Sequence, residues 1–392
     1  MIATLNGGSS SIKFALFSPG ANPTRVFSGQ VERIGTAGAS FSAAARAGQP
    51  IDRRPLEAGD HEQAAEFLAD WLRRDLSGQA VVGVGHRVVH GGLRLVEHQA
   101  VTDAVLDQLR AAQPLDLAHL PREIALIEVF RRRFPDATQV ACFDTEFHRD
   151  LPTVARLLPI PRRFTDAGVR RLGFHGLSYS YLLSELRRLS PREAEGKVVL
   201  AHLGSGASMA AVHGGKPVDT TMGFTPLAGL VMATRPGDLD AGVVTYLMRE
   251  EKLTPDTMDD YLSRRCGMLG VSETSGDVRD LLSRRAGDGR AAEAIDLFCY
   301  QARKWVGAFA AAMGGLDSLV FSGGIGEHAP EVRAAICEGL QFLGLKLDPA
   351  RNAASAAVIS ADGGAVTARV IPTDEEIVMA RIVGEVTGLV RP

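Results

Sequence analysis

A small set of charged and imidazole side chains occurs in segments that can hold them against an anion. Arg87 follows the apolar segment 80–85, and Arg235 lies in Thr-Arg-Pro-Gly-Asp, a loop constrained by proline and glycine. A guanidinium group is a planar fork that matches the oxygens of a carboxylate or a phosphate. Asp144 directly follows another apolar segment, and His175 lies in Gly-Phe-His-Gly. Because ligands bind at strand ends in α/β proteins, we predict that these side chains line a site for an anionic substrate.

Each of these residues also has an ordinary structural interpretation. Arg87 and Arg235, taken singly, are typical of surface ion pairs, and Asp144 is typical of a helix N-cap. Asp374 and Glu375 open the last predicted helix, where the helix dipole favours acidic residues. They are also suited to hold Mg²⁺, directly or through water. The residues alone leave these alternatives open.

The first seventeen residues predict a hairpin with a phosphate-sized turn. Segments 2–5 and 12–17 are apolar or β-branched and predict two strands. The turn between them, Gly7-Gly8-Ser9-Ser10-Ser11, offers small hydroxyls and backbone N–H groups, and Lys13 adds a positive charge. Glycine also lets a ligand approach the backbone closely. The alternative is an ordinary hairpin with a polar tip.

The same pattern recurs half a chain later. Segment 197–212 again predicts a strand, a Gly/Ser turn and a strand, with Gly204-Ser205-Gly206 in the turn. A third Gly-rich turn, Ser322 to Glu327, follows the apolar segment 318–321 and precedes a predicted helix start near Pro330. The recurrence predicts two related halves, and the simplest use of their turns is to hold a phosphate chain between them.

The elements that must position these residues alternate between strands and helices, so the predicted class is α/β. Beyond the hairpins, the pattern predicts strands over 26–34, 41–47, 80–85, 138–143 and 366–371. It predicts helices over 60–76, 103–112, 122–133, 178–189, 242–250, 257–265, 278–285, 291–313 and from 372 onward. Segment 348–364 is left unassigned. The Pro- and Arg-rich segment 151–169 is interpreted as a crossing between domains.

Composition excludes several classes of protein. The chain has 392 residues, of which 45% are hydrophobic and 23% charged, and its net charge is −3. This length predicts two domains, and the weak negative charge argues against nucleic acid as a partner. The one dense basic run, Arg131-Arg132-Arg133, is interpreted as a helix end. The four cysteines are widely spaced, so neither a disulfide framework nor a zinc site is predicted.

The expected location is the cytoplasm. We see no cationic leader with an apolar core before the first predicted strand. No apolar run approaches the roughly 20 residues that a membrane-spanning helix needs. The dispersed cysteines are typical of a reducing compartment. No membrane partner is therefore predicted.

Taken together and in order, eight segments give a specific resemblance. The chain resembles the acetokinase family, within the larger group of acetate and sugar kinases, Hsp70-type chaperones and actin. The resemblance covers nearly the whole chain and rests on segments 6–13 (NGGSSSIK), 86–92 (HRVVHGG), 143–148 (FDTEFH), 173–176 (GFHG), 202–208 (HLGSGAS), 234–238 (TRPGD), 323–327 (GGIGE) and 371–376 (IPTDEE).

The resemblance implies an architecture. It implies two duplicated RNase H-like domains of the actin/Hsp70 type, with mixed sheets and a cleft between the domains. The implied N-terminal domain covers 1–148 plus 376–392, and the implied C-terminal nucleotide-binding domain covers 149–375. The family further implies a homodimer.

The resemblance also implies an activity, which is reversible transfer of the ATP γ-phosphoryl group to acetate to give an acyl phosphate and ADP. The implied catalytic residues are Arg87, Asp144, His175 and Arg235. The implied acid-binding residues are Arg87, Val89, Ala118, His119, Phe174 and Pro226. The implied ATP-binding residues are Ser9, Ser11, Lys13, His202, Gly204, Ser205, Gly206, Asp277, Val278, Arg279, Gly324 and Ile325. Asn6 and Glu375 are the implied Mg²⁺ residues, with Mn²⁺ as an alternative ion.

Two departures from the family pattern bear on substrate choice. The family usually has Asn where this chain has Ser205, which alters one phosphate contact. It usually has Leu where this chain has Ala118, at a position that would form the methyl pocket with Val89, Phe174 and Pro226. A larger pocket would admit propionate, since a buried CH₂ contributes about 0.8 kcal/mol.

Three alternatives remain at this stage. One is a propionate or butyrate kinase of the same family. Another is a sugar kinase that uses Asp144 as the base for a hydroxyl nucleophile. The third is a nucleotide switch of the actin or chaperone type, which hydrolyses ATP without acyl transfer.

Overall fold

The computed structural model describes residues 1–8, 10–45, 49–76, 79–116 and 119–389. Its strands are β1 Ile2–Gly7, β2 Ser11–Ser18, β3 Thr24–Glu32, β4 Ser40–Ala45, β5 Pro50–Pro55, β6 Gly83–Val88, β7 Gln99–Ala100, β8 Thr138–Phe143, β9 Lys197–Leu203, β10 Ala207–His213, β11 Lys216–Thr220, β12 Ser318–Ser322 and β13 Thr367–Val370.

The α-helices range from single turns to seven turns. They are α1 His61–Asp75, α2 Asp103–Ala112, α3 Leu120–Arg133, α4 Thr153–Arg156, α5 Arg162–Asp166, α6 Gly176–Leu189, α7 Pro191–Ala194, α8 Ala241–Glu250, α9 Pro255–Arg264, α10 Gly267–Ser272, α11 Val278–Arg284, α12 Gly289–Met313, α13 Gly323–His328, α14 Pro330–Cys337, α15 Pro349–Ala353 and α16 Glu375–Val386. Short 3₁₀ turns lie at Gln113–Leu115, Glu146–His148 and Gln341–Leu343.

Backbone contacts divide the chain into two compact units. Unit 1 comprises Met1–Glu146 and Asp374–Pro392, and unit 2 comprises Phe147–Thr373. These bounds lie two residues from the predicted domain bounds at each crossing, and the assignment of a separate role to each domain stays a prediction.

Unit 1 is built on a mixed sheet with the strand order β5-β4-β3-β2-β1-β6-β8-β7. The strands from β5 to β1 are antiparallel neighbours, whereas β1, β6 and β8 run parallel. Helices α1 and α3 bury a core that includes Phe14, Phe41 and Trp71 against the sheet. Asp60 caps α1 by accepting a hydrogen bond from the Gln63 N–H at 2.8 Å, as the sequence predicts.

Helix α16 packs tightly against the parallel strands of this sheet. A Cβ atom added at Gly83 would lie 2.4 Å from Val383, and one added at Gly85 would lie 3.0 Å from the same side chain. Both glycines belong to β6, so the helix approaches the strand more closely than a larger residue allows. This packing fixes the first residue of α16, Glu375, near the ends of the parallel strands.

Unit 2 is built on a second mixed sheet with the strand order β11-β10-β9-β12-β13. Strands β9, β10 and β11 are antiparallel neighbours, and β9, β12 and β13 run parallel. Helix α6 covers one face with Tyr179, Leu182 and Leu186, whose spacing places them on one side of a helix. They pack with Val198 and Leu200 of β9.

The two sheets share a core topology. In unit 1 the order β3-β2-β1-β6-β8 contains two antiparallel pairs followed by two parallel pairs. In unit 2 the order β11-β10-β9-β12-β13 contains the same pairs in the same sequence. The prediction of an α/β chain with two related halves, each containing a strand-turn-strand unit, is confirmed.

Two local predictions need correction. The third Gly-rich segment, predicted as a turn, is helix α13, because the chain enters a helix directly from β12 and Gly323 adopts φ +75° to do so. Segment 151–169, predicted as a crossing between domains, belongs to unit 2 and contains α4 and α5. Within the described ranges, the structure contains no helix with the length and apolar character needed to cross a membrane.

Candidate active site

In unit 1, the parallel strands bring four predicted site residues together. The register that pairs Leu5 with His86 sets Asn6 beside Arg87. The Arg87 guanidinium donates to Asn6 Oδ1 at 3.1 Å and to Asp144 Oδ2 from two nitrogens, at 3.0 and 2.6 Å. Asn6 in turn donates from Nδ2 to Glu375 Oε2 at 3.3 Å. One guanidinium therefore links side chains from β1, from the end of β8 and from α16.

The charges in this cluster are strongly coupled. The Arg87 side chain is 18% exposed and that of Asp144 is 1% exposed. Burial acts to lower the pKa of Arg87, but the negative charges of Asp144 and Glu375 outweigh it and raise that pKa above its usual range. Arg87 is held as a fixed cation whose orientation is set by its partners.

Glu123, on α3, is a further carboxyl beside this cluster. It is 2% exposed, and its two carboxyl oxygens accept from the backbone N–H of Val89 at 3.3 and 3.1 Å. Burial raises the pKa of Glu123 to about 8, against the opposing effects of the Arg87 charge and the Val89 N–H. Glu123 thus fixes the backbone two residues after Arg87, and its burial favours the protonated carboxyl group.

His119, a predicted acid-binding residue, is oriented by an aspartate that was not predicted. Its Nδ1 lies 2.9 and 3.0 Å from the two carboxyl oxygens of Asp116, whose side chain is 5% exposed. Burial acts to raise the pKa of Asp116, but the hydrogen bond and charge of His119 outweigh it and lower that pKa. Ala118, the predicted pocket residue beside His119, lies outside the described residues.

The first hairpin forms as predicted. Lys13 is exposed on β2, directly opposite Asn6 of β1, and Ser11 begins β2. The Gly8 N–H donates to the Ser11 carbonyl at 2.7 Å and closes the turn. Ser9 lies outside the described residues. The hairpin therefore sets Lys13 next to the residue that links Arg87 and Glu375.

In unit 2, His175 adopts an unusual backbone conformation at the start of α6. Its φ is +59°, in the left-handed region that non-glycine residues rarely adopt. Gly173, just before it, has φ +72°, and a Cβ there would lie 2.4 Å from the His148 ring. Phe174, which lies between Gly173 and His175 in the sequence, is buried. Strain of this kind is concentrated at functional sites, which supports a specific role for the imidazole.

Arg235 and His175 converge on a single glycine. A Cβ atom added at Gly206 would lie 2.7 Å from Arg235 Nη2 and 3.4 Å from His175 Nε2. The Arg235 Nη1 atom donates to the Pro226 carbonyl at 2.9 Å, which fixes the guanidinium. The turn between β9 and β10 therefore has a cation and an imidazole nitrogen against it, and only glycine leaves room for both.

His202, near the end of β9, lies beside His175 at the same turn. Its ring stacks on the His175 ring with centroids 4.4 Å apart and an interplanar angle of 29°. A Cβ at Gly204 would lie 3.9 Å from His202 Nε2. The exposed Ser205 accepts through its carbonyl oxygen from the Ala233 N–H at 3.1 Å. That bond ties the turn to the loop that carries Arg235.

The remaining predicted nucleotide residues lie at two helix starts. Asp277 caps α11 and pairs with the exposed Arg279, with Nη2 and Oδ2 2.6 Å apart. Val278 is buried beneath them. Gly324 and Ile325 form the first turn of α13, and a Cβ at Gly324 would meet no atom within 4 Å. The α13 start is thus open at a position predicted to contact adenosine.

Comparison with known proteins decides the family. Residues 1–381 match the model of the acetokinase family. The chain belongs to the acetokinase family. It is 44% identical over 387 residues to an acetate kinase of Rhodopseudomonas palustris, with 97% of each chain covered. It is 41% identical over 390 residues to a propionate kinase of Citrobacter rodentium, covering 97% of this chain and 95% of that protein.

Solved structures agree with this assignment. A crystal structure of a propionate kinase from Francisella tularensis matches with a TM-score of 0.90 and 34% identity, over 97% of this chain and 98% of that one. The acetate kinase of Porphyromonas gingivalis matches with a TM-score of 0.86 and 33% identity, over 98% and 99% of the two chains. The predicted acetokinase membership, the duplicated actin/Hsp70-type fold and the assignment as a carboxylate kinase that uses ATP are confirmed.

The acetokinase family implies Mg²⁺, and the oxygen donors of unit 1 fit a phosphate-bound ion. Glu375 and Asn6 offer adjacent oxygen-bearing side chains. Within the residues that the structure describes, no three His, Cys, Asp or Glu side chains group as a metal site. One or two carboxylates with substrate phosphates and water are the usual Mg²⁺ environment in kinases. Asp374 is a weaker candidate, because it caps α16 and pairs with Arg25.

The sequence did not assign roles to several residues that contact the predicted site residues. Ser208 is the last residue of a segment used for recognition, and it contacts the His175 ring. Glu327 accepts from the N–H groups of Gly323 at 2.9 Å and Thr373 at 3.2 Å. Glu123 is one of several acids on amphipathic helices, and no local pattern distinguishes it. Only the tertiary contacts reveal these partners.

Proposed function

We propose that the protein transfers the γ-phosphoryl group of ATP to acetate in one in-line step, with propionate as an alternative acid. The observation that carries this proposal is the convergence of Arg235 Nη2 and His175 Nε2 on Gly206. The reaction is reversible, so the protein also forms ATP from an acyl phosphate and ADP. Membership of the acetokinase family and relatives named for acetate and propionate support the choice of acid.

The chemistry needs little from the protein beyond position and charge. A carboxylate oxygen of the acid attacks the γ-phosphorus, the bond to the β,γ-bridging oxygen breaks, and its electron pair leaves on ADP. A carboxyl group with a pKa of roughly 4 is already ionised at neutral pH, so no general base is required. Phosphoryl transfer is catalysed mainly by positioning and by stabilising charge on the transferring oxygens.

Each charged side chain then has a role suited to its surroundings. Arg235 and His175 stabilise the transferring phosphoryl group, Arg87 holds the acid's carboxylate, and Asp144 orients Arg87. The Asp144 oxygen Oδ2 accepts two hydrogen bonds from Arg87. That arrangement disfavours the sugar-kinase alternative, because Asp144 Oδ2 is already engaged by a guanidinium that would compete with a substrate hydroxyl.

We assign the remaining contacts as follows. The acid's methyl end is bound by Val89, Ala118, His119, Phe174 and Pro226. The phosphates of ATP are bound by Ser9, Ser11, Lys13, His202, Gly204, Ser205 and Gly206, and the adenosine by Asp277, Val278, Arg279, Gly324 and Ile325. Glu375 and Asn6 hold Mg²⁺, or Mn²⁺ in its place. The metal ion neutralises charge on the phosphate oxygens when bound.

A hydroxylamine trap tests the reaction directly. The purified protein is incubated with ATP, Mg²⁺ and acetate, propionate or butyrate, and acyl hydroxamate and ADP are both measured. We expect equal amounts of hydroxamate and ADP with acetate and propionate. ADP release without hydroxamate would instead identify the nucleotide switch. For substrate choice, we expect kcat/KM for propionate within tenfold of that for acetate, whereas a hundredfold preference for acetate would contradict the enlarged pocket.

We also propose that the enzyme works as a homodimer in the cytoplasm, as the family resemblance implies. Leu239, Val243 and Tyr246 are 41%, 39% and 57% exposed on and just before α8, which supports a protein contact there. Sedimentation equilibrium at micromolar concentration tests the assembly. A mass near 41.7 kDa at every concentration would exclude the dimer.

A further inference from the structure

Behind each of the two stacked histidines of unit 2 lies a pair of hydroxyl groups, of which three are buried and that of Thr373 is half-buried. His175 Nδ1 is 2.8 Å from Ser208 Oγ, which also hydrogen-bonds the Tyr179 hydroxyl. His202 Nδ1 is 2.8 Å from Ser178 Oγ, which is 2.9 Å from Thr373 Oγ1. Ser178, Tyr179 and Ser208 are all 0% exposed. Two imidazoles are therefore held in the same way from the same side.

The fold explains why these hydroxyl groups reach the histidines. Ser208 of β10 pairs directly with His202 of β9, so the hairpin that forms the Gly turn also supplies the serine for His175. Ser178 and Tyr179 lie in the first turn of α6, immediately after His175. The Nε2 atoms point the other way: that of His175 lies at Gly206 and that of His202 at Gly204.

The direction of the hydrogen bonds follows from proton affinity. A serine hydroxyl has one hydrogen and can donate it to only one neighbour. A phenol, with a pKa near 10, is a better donor than an aliphatic hydroxyl, so Tyr179 donates to Ser208. The Ser208 hydrogen is then directed at His175 Nδ1. A neutral imidazole that accepts at Nδ1 carries its own hydrogen on Nε2.

Charge also favours the neutral ring. The His175 and His202 rings are 4.4 Å apart, and the guanidinium of Arg235 lies against the same turn. Positive charges on both imidazoles would repel each other, and a charge on either one would be repelled by Arg235. Neutral rings with hydrogen on Nε2 avoid this repulsion and still donate to an anion at the turn.

From this geometry we infer that Ser208 and Tyr179 are positioning residues that hold His175 in the neutral Nε2–H tautomer, whereas Ser178, with Thr373, fixes the orientation of the His202 ring. The His175 imidazole then presents its Nε2–H to phosphate oxygens at the Gly204–Gly206 turn without having to gain a proton. The catalytic role of this tautomer rests on the proposed function, in which the transferring phosphoryl group accepts the hydrogen bond from Nε2–H. The tautomer itself is a property of the free protein.

Nitrogen NMR reads the tautomer directly. The protein is labelled with ¹⁵N-histidine, and two-bond ¹⁵N–¹H spectra are recorded at neutral pH, with His175→Gln and His202→Gln used to assign the rings. We expect the His175 ring to show a protonated Nε2 and an unprotonated Nδ1. A protonated Nδ1, in the other tautomer or in an imidazolium ring, would overturn the inference.

Two serine variants serve as controls for each other. Ser208→Ala should alter the His175 signals and leave the His202 tautomer unchanged, and Ser178→Ala should do the reverse. Tyr179→Phe keeps the ring volume and tests the outer donor if Ser208→Ala does not fold. If neither Ser208→Ala nor Tyr179→Phe alters the His175 signals, the hydroxyl groups have no positioning role.

Kinetics separate positioning from simple structural support. Ser208→Ala should lower kcat about tenfold, the equivalent of one hydrogen bond in the transition state, while KM for ATP and for acetate changes less than twofold. A tenfold fall in kcat/KM that came entirely from a higher KM, with kcat unchanged, would contradict the inference. If the wild-type enzyme formed no acyl hydroxamate, the proposed function would be refuted. The NMR spectra would still test the tautomer of His175, because they do not depend on activity.

Discussion

Gly206→Ala tests whether Arg235 and His175 need the space at the Gly204–Gly206 turn, because it adds only one methyl group there. The new methyl carbon would lie 2.7 Å from Arg235 Nη2, about 0.7 Å inside the 3.4 Å at which ordinary contact begins. The methyl would also lie 3.4 Å from His175 Nε2. Because φ at Gly206 is not in the left-handed region, the backbone accepts alanine. The variant should therefore fold, and the strain falls on the guanidinium.

The guanidinium can move only by giving up a bond. Its Nη1 atom is held by the Pro226 carbonyl at 2.9 Å, and a shift of about 0.7 Å would stretch that bond to roughly the limit of hydrogen bonding. A misplacement of about 1 Å in a catalytic group costs on the order of a hundredfold in rate. We expect kcat to fall about 30- to 100-fold, with a smaller change in KM for the acid.

The assay combines hydroxamate formation with thermal unfolding. Gly307→Ala is the matched control, because the same methyl added in α12 meets no atom within 4 Å. This control should keep wild-type activity and gain up to about 1 kcal/mol from helix propensity. Gly206→Ala should unfold within a few degrees of the wild type. Activity within threefold of the wild type would show that Arg235 and His175 do not need the space at Gly206.

Three further predictions concern unit 1. Asp144→Asn should destabilise the fold by about 3 kcal/mol in chemical denaturation, because it leaves the Arg87 cation without its buried partner, and an unchanged midpoint would refute that role. Glu123 binds a proton more tightly when folded, with a pKa of about 8, so its contribution to stability is full below pH 4.5 and is lost by about pH 8. Relative to Glu123→Gln, the wild type should therefore lose a few kcal/mol across that window, and parallel stability curves would exclude this effect. Glu375→Gln should raise the Mg²⁺ concentration needed for half-maximal activity at least tenfold, with isothermal titration of Mg·ATP as the binding control, and an unaltered Mg²⁺ dependence would remove Glu375 from the metal site.

The sequence predicts best where chemistry and strand ends coincide. Arg87 and Asp144 were both placed at the ends of buried strands, and the parallel pairing of β6 with β8 brings them within 2.6 Å. Alternating apolar and polar residues, or short apolar runs, define such strands locally. When two of these strands pair in parallel, their ends lie side by side. Their ordinary alternatives, a surface ion pair and a helix N-cap, do not hold for this buried pair.

Partners that come from helix faces are harder to predict. Glu123 reads as one more acid in the first turn of α3, where the helix dipole favours it. Its burial against Val89 depends on how α3 packs on the sheet, which no local pattern encodes. Ser208 is similar, since a small hydroxyl in a strand is common, and only the pairing with His202 and the left-handed turn at His175 give it a role.

The shared strand order supports our proposal that one duplicated frame carries two different kinds of anion site. In each sheet the first strand of the hairpin pairs in parallel with a later strand, so β6 in unit 1 occupies the place of β12 in unit 2. In unit 1 the end of that strand carries Arg87, and its carboxylate partner Asp144 follows the neighbouring strand β8. In unit 2 the corresponding strand β12 ends at Ser322, and the chain enters α13 directly at Gly323.

The residues at these two strand ends suit different ligands. Fixed charge on a side chain suits a small carboxylate, which needs one strong, oriented partner. Glycines and backbone N–H groups suit a phosphate chain, which needs close approach along several bonds. In unit 2 the charged groups are instead brought to the hairpin turn from outside the sheet, by the start of α6 and the loop that carries Arg235. Exchanging Arg87 for Lys should therefore impair use of the acid far more than binding of ATP, because an ammonium group cannot hold Asn6 and Asp144 with the same planar geometry.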